Sequence, residues 1–182
     1  MELFEHTPNG RLLVYDPITQ KTTTLLSGLY FANGVALSSD ESFVLVNETL
    51  MYRIQKYWLK GDKAGTSEIF IENLPGFPDN VSSNEEGIFW VALFNPRNNF
   101  VEMSSNKPFL RKIVFRLPEL LQPQPINHSF VLGLNEDGKV VHNLQYQANE
   151  AYSPITSVKQ YNDTLYFGSL THPGWGKIEV PK

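Results

Sequence analysis

One pattern recurs three times along this chain, and it limits the folds open to it more than any other feature. A valine stands eight positions ahead of an aromatic residue that opens an apolar strand: Val35 before Phe43, Val81 before Phe89, Val158 before Tyr166. Polar turn residues lie between, so each pair of segments reads as a hairpin. An alternating strand follows each hairpin, at residues 53–58, 112–117 and 177–180, and outer strands follow at 67–72 and 139–144. Four short strands per unit, repeated, describe a propeller blade. The first two valines are 46 residues apart, an ordinary blade period; the next two are 77 apart, which implies an insertion in the second unit.

That insertion, roughly residues 95–126, carries Asn95-Pro96-Arg97-Asn98-Asn99 and three prolines between Leu117 and Pro125. Prolines at this density break strands, and a long surface loop or short helix is expected there. Residues 11–26 supply only two outer strands of a blade, and the third unit lacks its outer strand. About three blades are therefore expected, where a closed propeller needs about four to eight. An open arc leaves sheet edges and blade faces bare. The chain is thus expected to be a fragment, a short isoform or a truncated gene product, closed by a missing N-terminal half or by a partner chain.

Composition narrows the function classes. With 41% hydrophobic and 19% charged residues the 182-residue chain reads as globular. A net charge of -4 offers no footprint for nucleic acid or anionic lipid. No apolar run is long enough to span a bilayer, and the N-terminal residues lack the pattern of a signal peptide. The absence of cysteine removes disulfides, thiolate metal sites and a cysteine nucleophile. Four Asn-x-Ser/Thr sequons begin at Asn47, Asn80, Asn127 and Asn162, where chance gives roughly two. Asn127 and Asn162, on loop or turn segments, are the better candidate glycan acceptors, and Asn47, on an inner strand, is the third.

Two segments are specific. Leu29-Tyr30-Phe31-Ala32-Asn33-Gly34-Val35 and Leu74-Pro75-Gly76-Phe77-Pro78-Asp79-Asn80-Val81 resemble the Phe-Ala-Asn-Gly and Pro-Gly-x-Pro-Asp-Asn stretches of the strictosidine synthase-like and paraoxonase-like superfamily. Residues 10–93 carry the strongest match, and weaker likeness continues through 107–112 and 163–170, so that it covers the C-terminal half of the family domain. The resemblance implies an all-β fold, part of a six-bladed β-propeller with its active site at one mouth of the channel. It also implies a calcium-dependent hydrolase of esters or lactones, in the secretory pathway, membrane-associated or extracellular. The alternatives are a non-catalytic binding propeller and an amine–aldehyde synthase.

The same resemblance makes Asn33, Asp79 and Asn80 metal ligands, and hard oxygen donors suit calcium without it. The competing reading makes Asn33-Gly34 and Asp79-Asn80 simple turn formers. Three ligands do not fill a calcium shell of 6–8 oxygens, so others are expected upstream. Thr156 aligns with the glutamate that strictosidine synthase uses, and a threonine cannot accept the proton that this condensation requires. Glu48 and His172 are candidates for a supporting or rim position, with a salt bridge and a structural histidine as their plainer readings. The sequence assigns no catalytic base. It contains no Gly-x-Ser-x-Gly elbow and no histidine or cysteine zinc pattern.

Overall fold

The computed structural model describes residues 7–97 and 126–181. They form four antiparallel sheets in chain order. The first pairs β1 (Gly10–Asp16) with β2 (Lys21–Leu29). The second runs β3 (Ala32–Leu37), β4 (Phe43–Glu48), β5 (Arg53–Trp58), β6 (Ser67–Ile71). The third runs β7 (Gly76–Ser83), β8 (Ile88–Pro96), β9 (His128–Asn135), β10 (Val140–Gln147). The fourth holds β11 (Ser157–Tyr161), β12 (Thr164–Gly168) and β13 (Gly176–Glu179). A single 3-10 turn, Thr49–Met51, is the helical element among the described residues. This is the all-β, sheet-after-sheet architecture of a propeller.

The apolar strands read as continuous runs because each lies between two packed sheets and is buried on both faces. On β8, Phe89, Val91 and Leu93 enter the core shared with the second sheet, while Trp90 and Ala92 enter the core shared with the fourth. On β4, Phe43 and Leu45 face the third sheet, and Val44 and Val46 pack with Leu12 and Leu29 of the first. Period-two alternation therefore assigns each residue to one of two cores. The inner strands β3, β7 and β11 lie side by side, β7 in the middle.

One strand assignment needs correction. The sequence pattern places the third strand of the second complete blade at residues 112–117, which lie outside the described residues. The partner of β8 is instead β9, His128–Asn135. Its Phe130, Val131, Leu132 and Leu134 are all at most 3% exposed and split between the two cores. A strand in that place needs apolar residues on both faces, and the alternating charges of 112–117 do not supply them. Gly133 makes room for the Trp90–His142 stack, since a Cβ there would lie about 3.0 Å from both side chains. The expected insertion loop overlaps β8, which continues to Pro96, and its remainder falls mostly outside the described residues.

Candidate functional site

Asn33-Gly34 and Asp79-Asn80 are not turn residues; they lie inside the inner strands, at matching irregularities. In β3 the register passes from Ala32 opposite Glu48 to Val35 opposite Val46, so Asn33 and Gly34 together face Asn47. In β7 it passes from Pro78 opposite Leu93 to Val81 opposite Val91, so Asp79 and Asn80 together face Ala92. Two residues against one is a β-bulge, which bends the strand and re-aims its side chains. The same device thus occurs at the same point of two successive sheets.

Gly34 explains how the two bulges meet. A Cβ on Gly34 would lie 2.5 Å from the Val81 nitrogen, 2.6 Å from the Asn80 Cα and 2.7 Å from the Asp79 oxygen. Only a glycine lets β3 approach the β7 backbone this closely. The approach brings the Asn33 amide beside the Asp79 carboxylate, where it favours the charged form. Asn80 Nδ2 lies 3.4 Å from Asp79 Oδ1 and donates to the Thr156 carbonyl at 2.8 Å. Burial pushes the Asp79 pKa above its ordinary value, and the nearby Asn33 amide opposes part of that rise.

The structure therefore gathers Asn33, Asp79 and Asn80 at one place and sends the other candidates elsewhere. Glu48 is fully buried, not at a rim. Its carboxylate accepts from the Tyr30 backbone, from Arg53 and from Gln55, which occupies it within its own part of the fold. Its salt bridge to Arg53 matches the plainer reading. His172 is exposed, packs its ring on Tyr152 at 4.7 Å and anchors its backbone on Ser169. Asn47 is 0% exposed, so it is not a glycan acceptor as the sequon suggests: its amide donates to the Asp79 carbonyl at 2.7 Å. Asn127 and Asn162 are exposed.

Thr156 is buried and contributes by its backbone. Its carbonyl accepts from both the Asn80 backbone and side chain, while its hydroxyl bonds the Gly168 carbonyl at 3.3 Å. Sequence reasoning missed this role, and it missed Thr49, whose hydroxyl touches both Asn33 and the Pro78 carbonyl. The signal available was the spacing of Asn47 and Thr49, two apart at the end of a buried strand.

One carboxylate and two amides are a hard, all-oxygen donor set of the kind calcium takes. No group of three His, Cys, Asp or Glu suited to a metal occurs among the described residues. The buried Asn47 Oδ1 has no hydrogen-bond partner among the described residues. An orphaned oxygen beside the Asp79 peptide is an acceptor that an ion or water would satisfy. The residues present fit one side of a calcium shell.

Comparison with known proteins sets these features in a family context. The strictosidine synthase family model matches residues 1–62. Protein strictosidine synthase-like 10 of Arabidopsis thaliana is 41% identical over 94% of this chain and 47% of its own length. Adipocyte plasma membrane-associated protein of Bos taurus is 36% identical over 94% of this chain and 43% of its own. The chain thus spans about half the length of the curated relatives it matches. Among solved structures, regucalcin of Agrobacterium tumefaciens, titled a calcium-binding protein, superimposes with a TM-score of 0.55 at 15% identity. It covers 92% of this chain and 47% of that one. A gluconolactonase of Xanthomonas campestris gives 0.55 at 14% identity over 86% of this chain and 40% of that one. At these identities the structural likeness speaks for the fold.

Proposed function

From a chain related to the strictosidine synthase-like proteins along 94% of its length, we propose a calcium-dependent hydrolase of esters or lactones, of which these residues form part of the metal site. The observation that carries the reading is the convergence of Asn33, Asp79 and Asn80 at paired bulges on adjoining inner strands. The likeness to regucalcin, a calcium-binding protein, and to a gluconolactonase supports it at the level of the fold. A membrane-associated or extracellular place is part of the same proposal, motivated by the name of the bovine relative. No helix among the described residues is long and apolar enough to cross a membrane.

In this reading Asp79 gives the charge of the site, and Asn33 and Asn80 give neutral oxygens from either side. Bound calcium would polarise the carbonyl of an ester or lactone and stabilise the oxyanion that forms on it. The Thr156 carbonyl fixes Asn80 from the third inner strand. The Thr156 hydroxyl, buried against the Gly168 carbonyl, offers no proton acceptor for an amine condensation, which weighs against synthase chemistry. A binding protein without turnover is the second reading. Its specific support is that the Glu48 carboxylate is consumed by Tyr30, Arg53 and Gln55, which removes it as a base.

Turnover of phenyl acetate by the full-length protein, with calcium and with chelator, separates the two. Calcium-dependent hydrolysis that disappears in Asp79→Ala is the expected result. Hydrolysis indifferent to both chelator and the substitution would remove the calcium reading, and calcium binding without hydrolysis would favour the binding protein.

A further inference from the structure

Resting on the cation reading above, we propose that Thr49 and Asn47 are positioning residues of the site. They hold the β7 bulge and the Asn33 amide in the one arrangement that lets the three ligand side chains meet. Alternation along the chain turns Asn47 and Thr49 to one side and Glu48 to the other. Glu48 bonds Tyr30, Arg53 and Gln55, whereas Asn47 and Thr49 cross to the neighbouring sheet.

The crossing bonds fall on consecutive carbonyls. Thr49 Oγ1 donates to the Pro78 oxygen at 2.7 Å, and Asn47 Nδ2 donates to the Asp79 oxygen at 2.7 Å. Two points fix both the position and the tilt of the peptide that carries Asp79. With its proton committed to Pro78, Thr49 Oγ1 has lone pairs left, and one takes the Asn33 Nδ2 hydrogen at 3.3 Å. The nitrogen end of that amide is thereby turned toward Thr49, which leaves the oxygen end for a cation. An asparagine ligand must present its oxygen, so the hydroxyl selects the useful orientation of Asn33.

The setting makes these bonds effective. Asn47 is 0% and Thr49 6% exposed, so water does not compete for the partners. The two sheets share no backbone ladder at this point, since β3 and β7 belong to different sheets. Alignment of Asn33 with Asp79 across that boundary therefore depends on side chains and on the close approach at Gly34.

Thr49→Val keeps the shape of the side chain and removes both bonds; Thr49→Ser keeps the hydroxyl. Amide exchange of the 182-residue chain, followed by mass spectrometry without calcium, reads the clamp directly. Thr49→Val and Asn47→Ala are expected to speed exchange over residues 76–83 by several-fold to about tenfold, the scale of one lost buried hydrogen bond. Exchange over residues 176–179 should stay unchanged, and Thr49→Ser should behave as the wild type. In a melting experiment on the full-length protein, Thr49→Val should lose most of the rise in Tm that calcium gives the wild type, and Thr49→Ser should keep it. Exchange over 76–83 that ignores Thr49→Val overturns the proposal. So does a variant that melts lower yet keeps the full calcium-induced rise, because the hydroxyl would then be merely structural. A wild type that does not respond to calcium, and matches Asp79→Ala in that respect, overturns the cation reading instead; the exchange result then decides on the clamp alone.

Discussion

Gly34 carries more of the site than its lack of a side chain suggests. Its missing Cβ is replaced by the backbone of Asp79, Asn80 and Val81, all under 3 Å from where that atom would stand. Backbone cannot swing aside as the tip of a flexible side chain can. Gly34→Ala is therefore expected to force β3 away from β7, at a cost of about 1–3 kcal/mol typical of overpacking, and to part Asn33 from Asp79. A denaturant midpoint lowered accordingly, with loss of any calcium-induced stabilisation, is the expected outcome; an unchanged midpoint would refute the close approach. Residue types at the site were legible beforehand through two stretches, Phe31-Ala32-Asn33-Gly34 and residues 75–80, that resemble family motifs. Their conformation was not. Asn-Gly and Asp-Asn are turn-forming pairs in isolation, and the two-against-one register that places them inside strands depends on partners far along the chain. Asn47 was misjudged for the same reason: a sequon is local, whereas burial against the next sheet is not.

At the scale of elements, the sheets are joined at their outer parts by a lysine. Lys56 on β5 is 7% exposed, with its Nζ 4.2 Å from the Phe43 ring, 4.8 Å from Phe70 and 4.9 Å from Trp58. It donates to the Glu136 carbonyl in the turn between β9 and β10, at 3.1 Å. Burial lowers its pKa from 10.5, and the nearby acidic groups, Glu68 first, oppose the shift. With the folded pKa below the unfolded one, the unfolded chain binds the extra proton in between. The cost of burying the ammonium is then full at neutral pH and is relieved as pH rises from the folded pKa toward 10.5. Wild type is accordingly expected to gain stability relative to Lys56→Met across that window, as read from paired melting curves. A difference that stays flat with pH would show that Lys56 is no more desolvated than a surface lysine. Strands such as β4 and β8 were legible as apolar runs after a turn. The third strand of β8's sheet was not: 112–117 reads as the alternating strand of the repeat, whereas β9 is an apolar run, and the need for two buried faces selects it.

The largest scale concerns how whole sheets are held. Three side chains of β7 and the turn beyond it reach the next inner strand at a constant offset: Asn80 to the Thr156 carbonyl, Ser82 to the Val158 carbonyl, Asn84 to Gln160. Each spans 76 residues, and Lys159 returns a bond to the Ser83 carbonyl across the same offset. The outermost described sheets lack such neighbours on one side. Tyr161 of the fourth, and Leu170 and Trp175 in the connection between its β12 and β13, are 70%, 76% and 66% exposed. Exposed large apolar side chains at a sheet without a neighbour favour association, so the 182-residue chain alone is expected to elute as concentration-dependent oligomers in size-exclusion chromatography with light scattering. A monomer at all concentrations would show that these faces are tolerated in water. The constant offset has a mechanical meaning as well. Because the partners rise together in both strands, β7 and β11 run parallel, and sliding one sheet along the other strains all four bonds at once. Peeling the sheets apart from one end strains them one after another. The joint is stiff in shear and compliant in tearing, so a strained arc of this kind would give way at its rim before its blades slipped past each other.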